Sequence, residues 1–330
     1  MSSFIPHGGA LDAAIAAHGG NADDWLDLST GINPRGYPLP EIPRQIWERL
    51  PQASAMNECL AAARDYYVMP EAAAIVAGPG TQAIIQWIPH LWPEREAVVV
   101  SPTYGEYEQV FRAIGRSVSN VSDLQSISAG NAVIFIGNPN NPDGRVWAKS
   151  DCERLLDMGH CLVIDEAFAD VAPDRSLIEL ADRENVLVLK SFGKFFGLAG
   201  VRLGFAIGQP FIIELMQRLL GPWPVAGPAL AVGQQALSDV RWTTEARTWL
   251  GEQRASLEHT LQTSGFELVG STDLFVTAAH PRADAICKAL LSERVLVRPF
   301  DYAPKWLRFG LPGDHAELER LADVLRRIAR

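Results

Sequence analysis

The sequence predicts an α/β fold: a large domain in which helices cover a mostly parallel sheet, followed by a small α+β domain. Between about residues 55 and 210, short apolar runs alternate with longer helix-like stretches, and polar residues follow five of the runs. After Gly221-Pro222-Trp223-Pro224 the pattern changes to longer amphipathic stretches. We therefore expect an amino-terminal segment over 1–40 that packs with the small domain and the active site, a large domain over 41–221 and a small domain over 222–330.

Each predicted strand of the large domain is a short apolar run, as is typical of strands buried on both faces of a sheet. The runs lie at residues 74–77, 97–100, 133–136, 162–164, 186–189 and 203–207. In the remainder, the pattern predicts one short helix within the first 40 residues and amphipathic helices over 226–264. It also predicts strands near 266–278 and 294–298 and a final helix from about 314.

Residues capable of chemistry follow the predicted strands. Ligands of open sheets bind beyond the carboxyl ends of the strands, so these positions are candidates for a site. They are Gly78-Pro79-Gly80-Thr81, Ser101-Pro102-Thr103-Tyr104, the segment 138–144, Asp165-Glu166-Ala167-Phe168 and Lys194.

The composition is that of a soluble globular protein, since 48% of the 330 residues are apolar and 21% are charged. A formal charge of −10 argues against nucleic-acid or anionic-membrane partners, so an anionic ligand needs a local cluster of arginines. The start of the sequence has no secretion pattern, and no apolar run is long enough to cross a membrane; we expect a cytoplasmic protein. Cys59, Cys152, Cys161 and Cys287 lack disulfide or metal spacing, so we expect reduced core thiols and no metal.

Lys194 is the strongest candidate for a reactive residue. It follows the apolar run 186–189 and stands among phenylalanines, where desolvation favours the neutral amine that can form an imine. Ser191 and Arg202 bracket it with a hydroxyl and a guanidinium, which are donors suited to a phosphate monoester. This set predicts a Schiff base to pyridoxal 5'-phosphate. The alternative is a surface lysine after a strand, with Arg202 in an ordinary ion pair.

Two further strand ends suit the same cofactor. Gly80 and Thr81 precede a predicted helix whose free N–H groups can face a phosphate, although Gly-Pro-Gly also occurs in plain turns. Asp165 ends an apolar strand, so its carboxylate needs a cation such as a protonated pyridine nitrogen, unless it caps the next helix or pairs with an arginine. Tyr104 can stack on the ring and Asn141 can donate to its phenolic oxygen; they can equally be a core aromatic and a turn residue.

Together these residues resemble the fold-type I pyridoxal-phosphate enzymes, in particular the branch that contains histidinol-phosphate aminotransferase. The resemblance extends through Trp306-Leu307-Arg308 and so covers most of the chain, and it is most specific between Lys194 and Arg202. It implies a homodimer with the active site at the subunit interface.

The resemblance also implies a role for each matching residue. Lys194 would form the Schiff base, Asp165 would hold the pyridine nitrogen, Asn141 would contact the phenolic oxygen, Tyr104 would stack, and Ser191, Arg202, Gly80 and Thr81 would hold the cofactor phosphate. On the substrate side, Arg308 would bind the carboxylate and Arg298 a phosphate.

The amino end narrows the resemblance to the threonine-phosphate decarboxylases of this family. His7-Gly8-Gly9 and the segment 26–36 match, and this chain has Gly31-Ile32-Asn33-Pro34 where the aminotransferases usually have Asn-Glu-Asn-Pro. Phe168 also fits, because the aminotransferases usually have a tyrosine there whose hydroxyl touches the phenolic oxygen. One departure is Leu50, which stands where relatives often have a tyrosine that reaches the partner subunit's cofactor phosphate. That dimer contact is therefore open.

The expected reaction is decarboxylation of L-threonine O-3-phosphate to (R)-1-amino-2-propanol O-2-phosphate for cobalamin biosynthesis. Arg298 and Arg308, helped by His7 or Asn33, would bind the substrate; for His7 an ordinary surface position is the alternative. A histidinol-phosphate-type transamination stays open, because the orientation of the carboxylate against the ring decides which bond breaks. A non-catalytic partner or regulator is a second alternative, disfavoured by the complete set of cofactor residues.

Overall fold

The computed structural model describes residues 8–328 and shows the predicted alternation of strands and helices. The helices are α1 (Leu11–His18), α2 (Arg44–Glu48), α3 (Ala53–Tyr66), α4 (Thr81–Leu91), α5 (Glu106–Ala113), α6 (Lys149–Asp157), α7 (Phe192–Phe195), α8 (Pro210–Leu220), α9 (Gly227–Ser238), α10 (Val240–Thr263), α11 (Ala283–Ser292) and α12 (His315–Ile328). The strands are β1 (Leu26–Asp27), β2 (Ala74–Gly78), β3 (Ala97–Val100), β4 (Val118–Val121), β5 (Val133–Gly137), β6 (Cys161–Asp165), β7 (Val186–Ser191), β8 (Gly204–Gly208), β9 (Glu267–Thr272), β10 (Phe275–Ala279), β11 (Val295–Leu296), β12 (Arg298–Pro299) and β13 (Trp306–Gly310).

The described chain forms two compact units. The larger is Gly36–Thr244, and the smaller combines residues 8–35 with 245–328. Helix α9 belongs to the larger unit because it packs against α3, with Gly233 directly beside Leu203 and Cys59. The boundaries expected from the sequence, near residues 40 and 221, stay a prediction about independent domains.

The larger unit is built on a seven-stranded sheet with the order β2-β8-β7-β6-β5-β3-β4. The pairs from β7 through β4 are parallel, whereas β8 runs antiparallel to both of its neighbours, β2 and β7. All six strands predicted for this domain are present. The carboxyl ends of β2, β3, β5, β6 and β7 and the beginning of β8 therefore share one edge of the sheet.

Strand β4 was not predicted. It lies at the edge of the sheet and exposes Ser119 and Asn120, so it lacks the continuous apolar run that marks the central strands. By contrast, every residue of β5 and β6 is buried.

The core on one face of this sheet explains where α4 and α5 pack. Alternate residues of the central strands, such as Phe135 and Val163, meet Ile84 and Ile88 of α4 and Phe111 of α5. The helices present these residues at helical spacing, so each covers the sheet with one apolar stripe.

The smaller unit contains an antiparallel sheet in the order β12-β13-β10-β9 and a parallel pair, β1 with β11. The predicted strand regions near 266–278 and 294–298 and the final helix are confirmed, with α12 beginning at His315. Strands β1 and β13 were not predicted. In β13 a charged residue, Arg308, interrupts the apolar run at its centre.

A buried ion pair joins the ends of β6 and β7. Lys190 and Glu166 are 3% and 0% exposed, and the Lys190 ammonium donates to Glu166 Oε2 and to Ser176 Oγ at 3.1 Å. Glu166 also accepts from Asn138 Nδ2 at 3.0 Å, from Ser176 Oγ at 2.5 Å and from the Leu177 amide at 2.6 Å. With this many donors, the buried carboxylate is fully matched.

Among the described residues, no helix has both the length and the apolar character needed to span a membrane. The cytoplasmic location stays a prediction. The four cysteines are buried, and burial raises the pKa of the thiols of Cys59, Cys152 and Cys161 to about 12 and that of Cys287 to about 11.

Removing one member of the ion pair should destabilise the fold strongly. We expect Glu166→Gln to lower the free energy of unfolding, measured by urea denaturation, by about 3–5 kcal/mol because it leaves a buried ammonium without its counter-charge. The double variant Glu166→Gln/Lys190→Met should recover part of that loss. Lys288→Met, which breaks an exposed pair with Asp284 on α11, is the control and should barely move the urea midpoint. A Glu166→Gln midpoint equal to that control would contradict the prediction.

Candidate active site

The predicted cofactor residues lie along one edge of the large sheet. Tyr104, Asn141, Asp165 and Lys194 follow or end the parallel strands β3, β5, β6 and β7, as expected for an open sheet. Arg202 lies at the same edge for a different reason, because it stands two residues before the antiparallel strand β8.

Gly80, Thr81 and Arg202 form a tight cluster at this edge. Gly80 has a φ of +85°, and a Cβ added to it would lie 2.8 Å from Arg202 Nη2. A Cβ added to Gly204 would lie 2.6 Å from the Thr81 backbone nitrogen. These two glycines therefore let the first turn of α4 and the Arg202 guanidinium approach one another. The cluster combines a helix N-terminus with a cation, which is the donor set of an anion site.

Ser191 lies beside this cluster. It is paired with Gly204 across β7 and β8, and Gly204 is paired with Gly78 across β8 and β2. Strand register thus places its hydroxyl-bearing side chain one strand away from the turn that leads into α4.

Asp165 is a buried carboxylate with two donors. Tyr107 Oη donates to Oδ2 at 2.7 Å, and the Ala167 amide donates to Oδ1 at 2.9 Å. Burial raises the pKa of Asp165, whereas the hydrogen bonds from Tyr107 and Ala167 and the positive charge of Lys194 lower it. The roles of Asp165 and Lys194 toward a cofactor stay predictions.

Lys194 is half-buried in α7, next to side chains that have no exposure. Phe192, Phe195 and Phe196 are each 0% exposed, which agrees with the expected apolar environment. The Lys194 ammonium lies 5.7 Å from the centre of the Phe168 ring. Phe168 has no hydroxyl, so this ring contributes a face and no hydrogen bond.

Tyr104 is held through its hydroxyl. Its Oη donates to Gln82 Oε1 at 2.9 Å, and Gln82 Nε2 donates to Glu106 Oε2 at 2.8 Å. Its ring also meets that of Tyr107 edge-on, with centroids 5.6 Å apart. The half-buried ring is therefore fixed between α4 and α5.

Asn141 stands in a loop anchored by its neighbour. Asn140 accepts from Thr103 Oγ1 at 2.6 Å and donates to the Pro102 carbonyl at 2.8 Å and to Asp143 Oδ1 at 2.7 Å. These bonds tie the loop after β5 to the loop after β3.

Arg298 and Arg308 lie opposite each other on β12 and β13 of the smaller unit. Arg308 is 6% exposed, donates to the Ser29 carbonyl at 2.9 Å and lies 5.2 Å from the centre of the Phe275 ring. Burial, together with the nearby Arg298 guanidinium, lowers the pKa of Arg308 to about 9. Two cations so close to each other favour a bound anion.

The other two substrate candidates are Asn33 and His7. Asn33 is buried, and its Oδ1 accepts from the Arg35 amide at 2.9 Å, which is the turn role of an asparagine before proline. His7 lies outside the described residues. The substrate roles of Asn33 and His7 stay predictions.

Sequence reasoning missed the residues that hold the site in place. Tyr107, Gln82, Asn140 and the Lys190–Glu166 pair each act through a partner distant in the sequence. Tyr107 carries one signal, since it follows Tyr104 by only three positions, but it is indistinguishable from a core aromatic in the sequence.

Known proteins match the chain over its whole length. A threonine-phosphate decarboxylase from Sinorhizobium sp is 41% identical, with 99% of each chain covered. One from Pseudomonas aeruginosa is 38% identical, covering 98% of this chain and 97% of that protein. The structure of histidinol-phosphate aminotransferase from Sinorhizobium meliloti in complex with pyridoxal-5'-phosphate has a TM-score of 0.85 at 20% identity and covers 100% of this chain and 98% of that one.

The fold-type I architecture expected from the sequence is thereby confirmed. The family model described as aminotransferase class I and II matches residues 49–325. The chain belongs to the aminotransferase class I and II family.

Proposed function

We propose that this protein is a pyridoxal-phosphate-dependent decarboxylase that converts L-threonine O-3-phosphate to (R)-1-amino-2-propanol O-2-phosphate for cobalamin biosynthesis. The observation that carries the proposal is its 41% identity, over 99% of both chains, to a protein named threonine-phosphate decarboxylase. The predicted site residues would supply the chemistry that such a reaction needs.

The larger unit fits the cofactor at three points. The cluster of Gly80, Thr81 and Arg202 suits a phosphate, because the two glycines let the first turn of α4 and the Arg202 guanidinium come close together. Buried Asp165 suits a protonated pyridine nitrogen, and Lys194 would bind the aldehyde carbon. When bound, pyridoxal phosphate supplies an electron sink for negative charge at the substrate α-carbon.

Arg298 and Arg308 would bind the two acidic groups of the substrate. Their mutual repulsion, together with burial, lowers the pKa of Arg308, so a dianionic phosphate and a carboxylate would stabilise both charged guanidiniums. The arginines would hold and orient the substrate carboxylate, and this orientation would select the bond to that carboxylate for cleavage over the bond to the α-hydrogen. Lys194 or a water molecule would then deliver a proton to the α-carbon.

The main alternative is an aminotransferase that acts on histidinol phosphate or a similar phosphorylated amine. Phe168 favours the decarboxylase, because it offers no hydroxyl where the aminotransferases usually have a tyrosine. Incubating the purified protein with threonine phosphate and pyridoxal phosphate distinguishes the two. We expect release of CO₂ without an acceptor, whereas a keto product formed only after an amino acceptor is added would overturn the proposal.

We further propose a homodimer. Leu50 is 60% exposed on the isolated chain. It stands where relatives often have a tyrosine that reaches the partner subunit's cofactor phosphate. We expect the purified protein to sediment as a dimer, and sedimentation as a monomer would contradict this proposal.

Lys194→Ala should remove both the covalent attachment and the activity. We expect the absorbance band of the bound cofactor to lose its imine component and CO₂ release to fall by about 10²–10⁴-fold or more, because the amine also moves a proton. The matched control is Lys149→Ala, which alters an exposed ion pair on α6. A wild-type protein that binds no pyridoxal phosphate would instead favour the non-catalytic alternative.

Gly80→Ala should selectively weaken binding of the cofactor phosphate. The new Cβ meets Arg202, and the positive φ is strained for alanine by about 1–2 kcal/mol, so the anion cluster should widen. We expect the affinity for pyridoxal phosphate to fall about tenfold, equivalent to about 1.4 kcal/mol, with little change for pyridoxal, which lacks the phosphate. Gly105→Ala is the control, since its φ is −65°. If Gly80→Ala lowered the affinity for both ligands equally, the cofactor phosphate would have to bind elsewhere.

Arg298→Met should separate phosphate binding from carboxylate binding. Losing a charge-assisted contact should raise the KM for threonine phosphate about tenfold or more and leave turnover of threonine itself nearly unchanged. Arg308→Met should impair both substrates. The control is Arg326→Met on the exposed side of α12. If Arg298→Met impaired both substrates equally, its assignment to the phosphate would be wrong.

A further inference from the structure

Tyr107 is a buried polar side chain that contacts Asp165 and was not among the predicted site residues. It lies in the first turn of α5 and is 2% exposed. Its ring stacks on Phe135 of β5 at a centroid distance of 5.2 Å and an angle of 20°, and Phe111 packs edge-on against the other ring of that stack at 5.6 Å. This aromatic packing fixes the direction of the hydroxyl.

The hydroxyl points at Asp165. Its hydrogen bond to Oδ2 is 2.7 Å long and buried, while Oδ1 accepts from the Ala167 amide. A carboxylate oxygen has two lone-pair positions, so one donor on each oxygen fixes the rotation of the group and leaves room for a further donor. Burial raises the pKa of Asp165, and the Tyr107 hydrogen bond is the first of the influences that oppose it.

We propose that Tyr107 is a positioning residue for Asp165: its hydroxyl donates to Oδ2 and holds the carboxylate turned so that it can receive the N–H of a protonated pyridine ring. This inference rests on the proposed function, because it requires pyridoxal phosphate as the ligand. In this proposal Tyr107 would make no contact of its own with the cofactor or the substrate. It acts only through the ring nitrogen's partner.

Tyr107→Phe tests the hydroxyl while keeping the ring. The phenylalanine can retain the stack on Phe135, so the change removes one donor from Asp165 without opening a cavity. Tyr67→Phe is a matched control. Tyr67 is also buried, at 6% exposure, and within the described residues its hydroxyl has no hydrogen-bond partner.

The readout is equilibrium affinity for two ligands, measured by absorbance titration. One is pyridoxal phosphate, and the other is its 1-deaza analogue, in which a C–H replaces the ring nitrogen. We expect Tyr107→Phe to weaken pyridoxal phosphate about tenfold and the deaza analogue less than about twofold, because only the first ligand uses Asp165 as a counter-charge. In an Asp165→Asn background, Tyr107→Phe should have no further effect on either ligand.

Each other outcome overturns a specific claim. Equal weakening of both ligands would make Tyr107 a merely structural residue, and unchanged affinities would show that its hydroxyl is dispensable. Either result would leave the proposed function intact. Failure of the wild-type protein to bind pyridoxal phosphate would overturn the proposed function together with this inference.

Discussion

The candidate site depends on two adjacent acidic residues at the end of β6, which contact different partners. Asp165 lies on the sheet face covered by α5 and meets Tyr107, whereas Glu166 meets Lys190 of β7. Both carboxylates are buried, so each must find its donors within the folded chain. A slip of one residue between β6 and β7 would exchange the two faces and leave both charges unmatched. The register of the central strands is therefore an electrostatic requirement as well as a packing one.

The central strands and the residues that follow them were predictable because both signals are local. An apolar run of three to five residues identifies a strand buried on both faces, and a chemistry-bearing residue follows it, directly for Asp165 and after four intervening residues for Lys194. The edge strand β4 and the arginine-bearing strand β13 lack that run. Their conformation depends on pairing with β3 and β10, which no local pattern of residues encodes.

For the same reason, the contacts that support the candidate site could not be predicted from the sequence. Tyr107 and Asp165 are 58 positions apart, and Lys190 and Glu166 are 24 apart, so their pairing follows only from the completed sheet. Family resemblance identified candidates for the groups that touch the ligand and none of those that hold them. Burying a cation such as Arg308 beside Arg298 opposes stability, which is common where a fold is adapted to receive a charged ligand.

The reversed direction of β8 affects the spacing between Lys194 and Arg202. If that strand ran parallel to β7, a long crossover would separate Lys194 from Arg202; instead the chain turns back at once through α7 and a short 3₁₀ segment. The Lys194 amine and the Arg202 guanidinium thus lie on one short, continuous segment between β7 and β8. The spacing between them is therefore set mainly by the few covalently linked residues of this segment, and it depends little on how the rest of the chain packs.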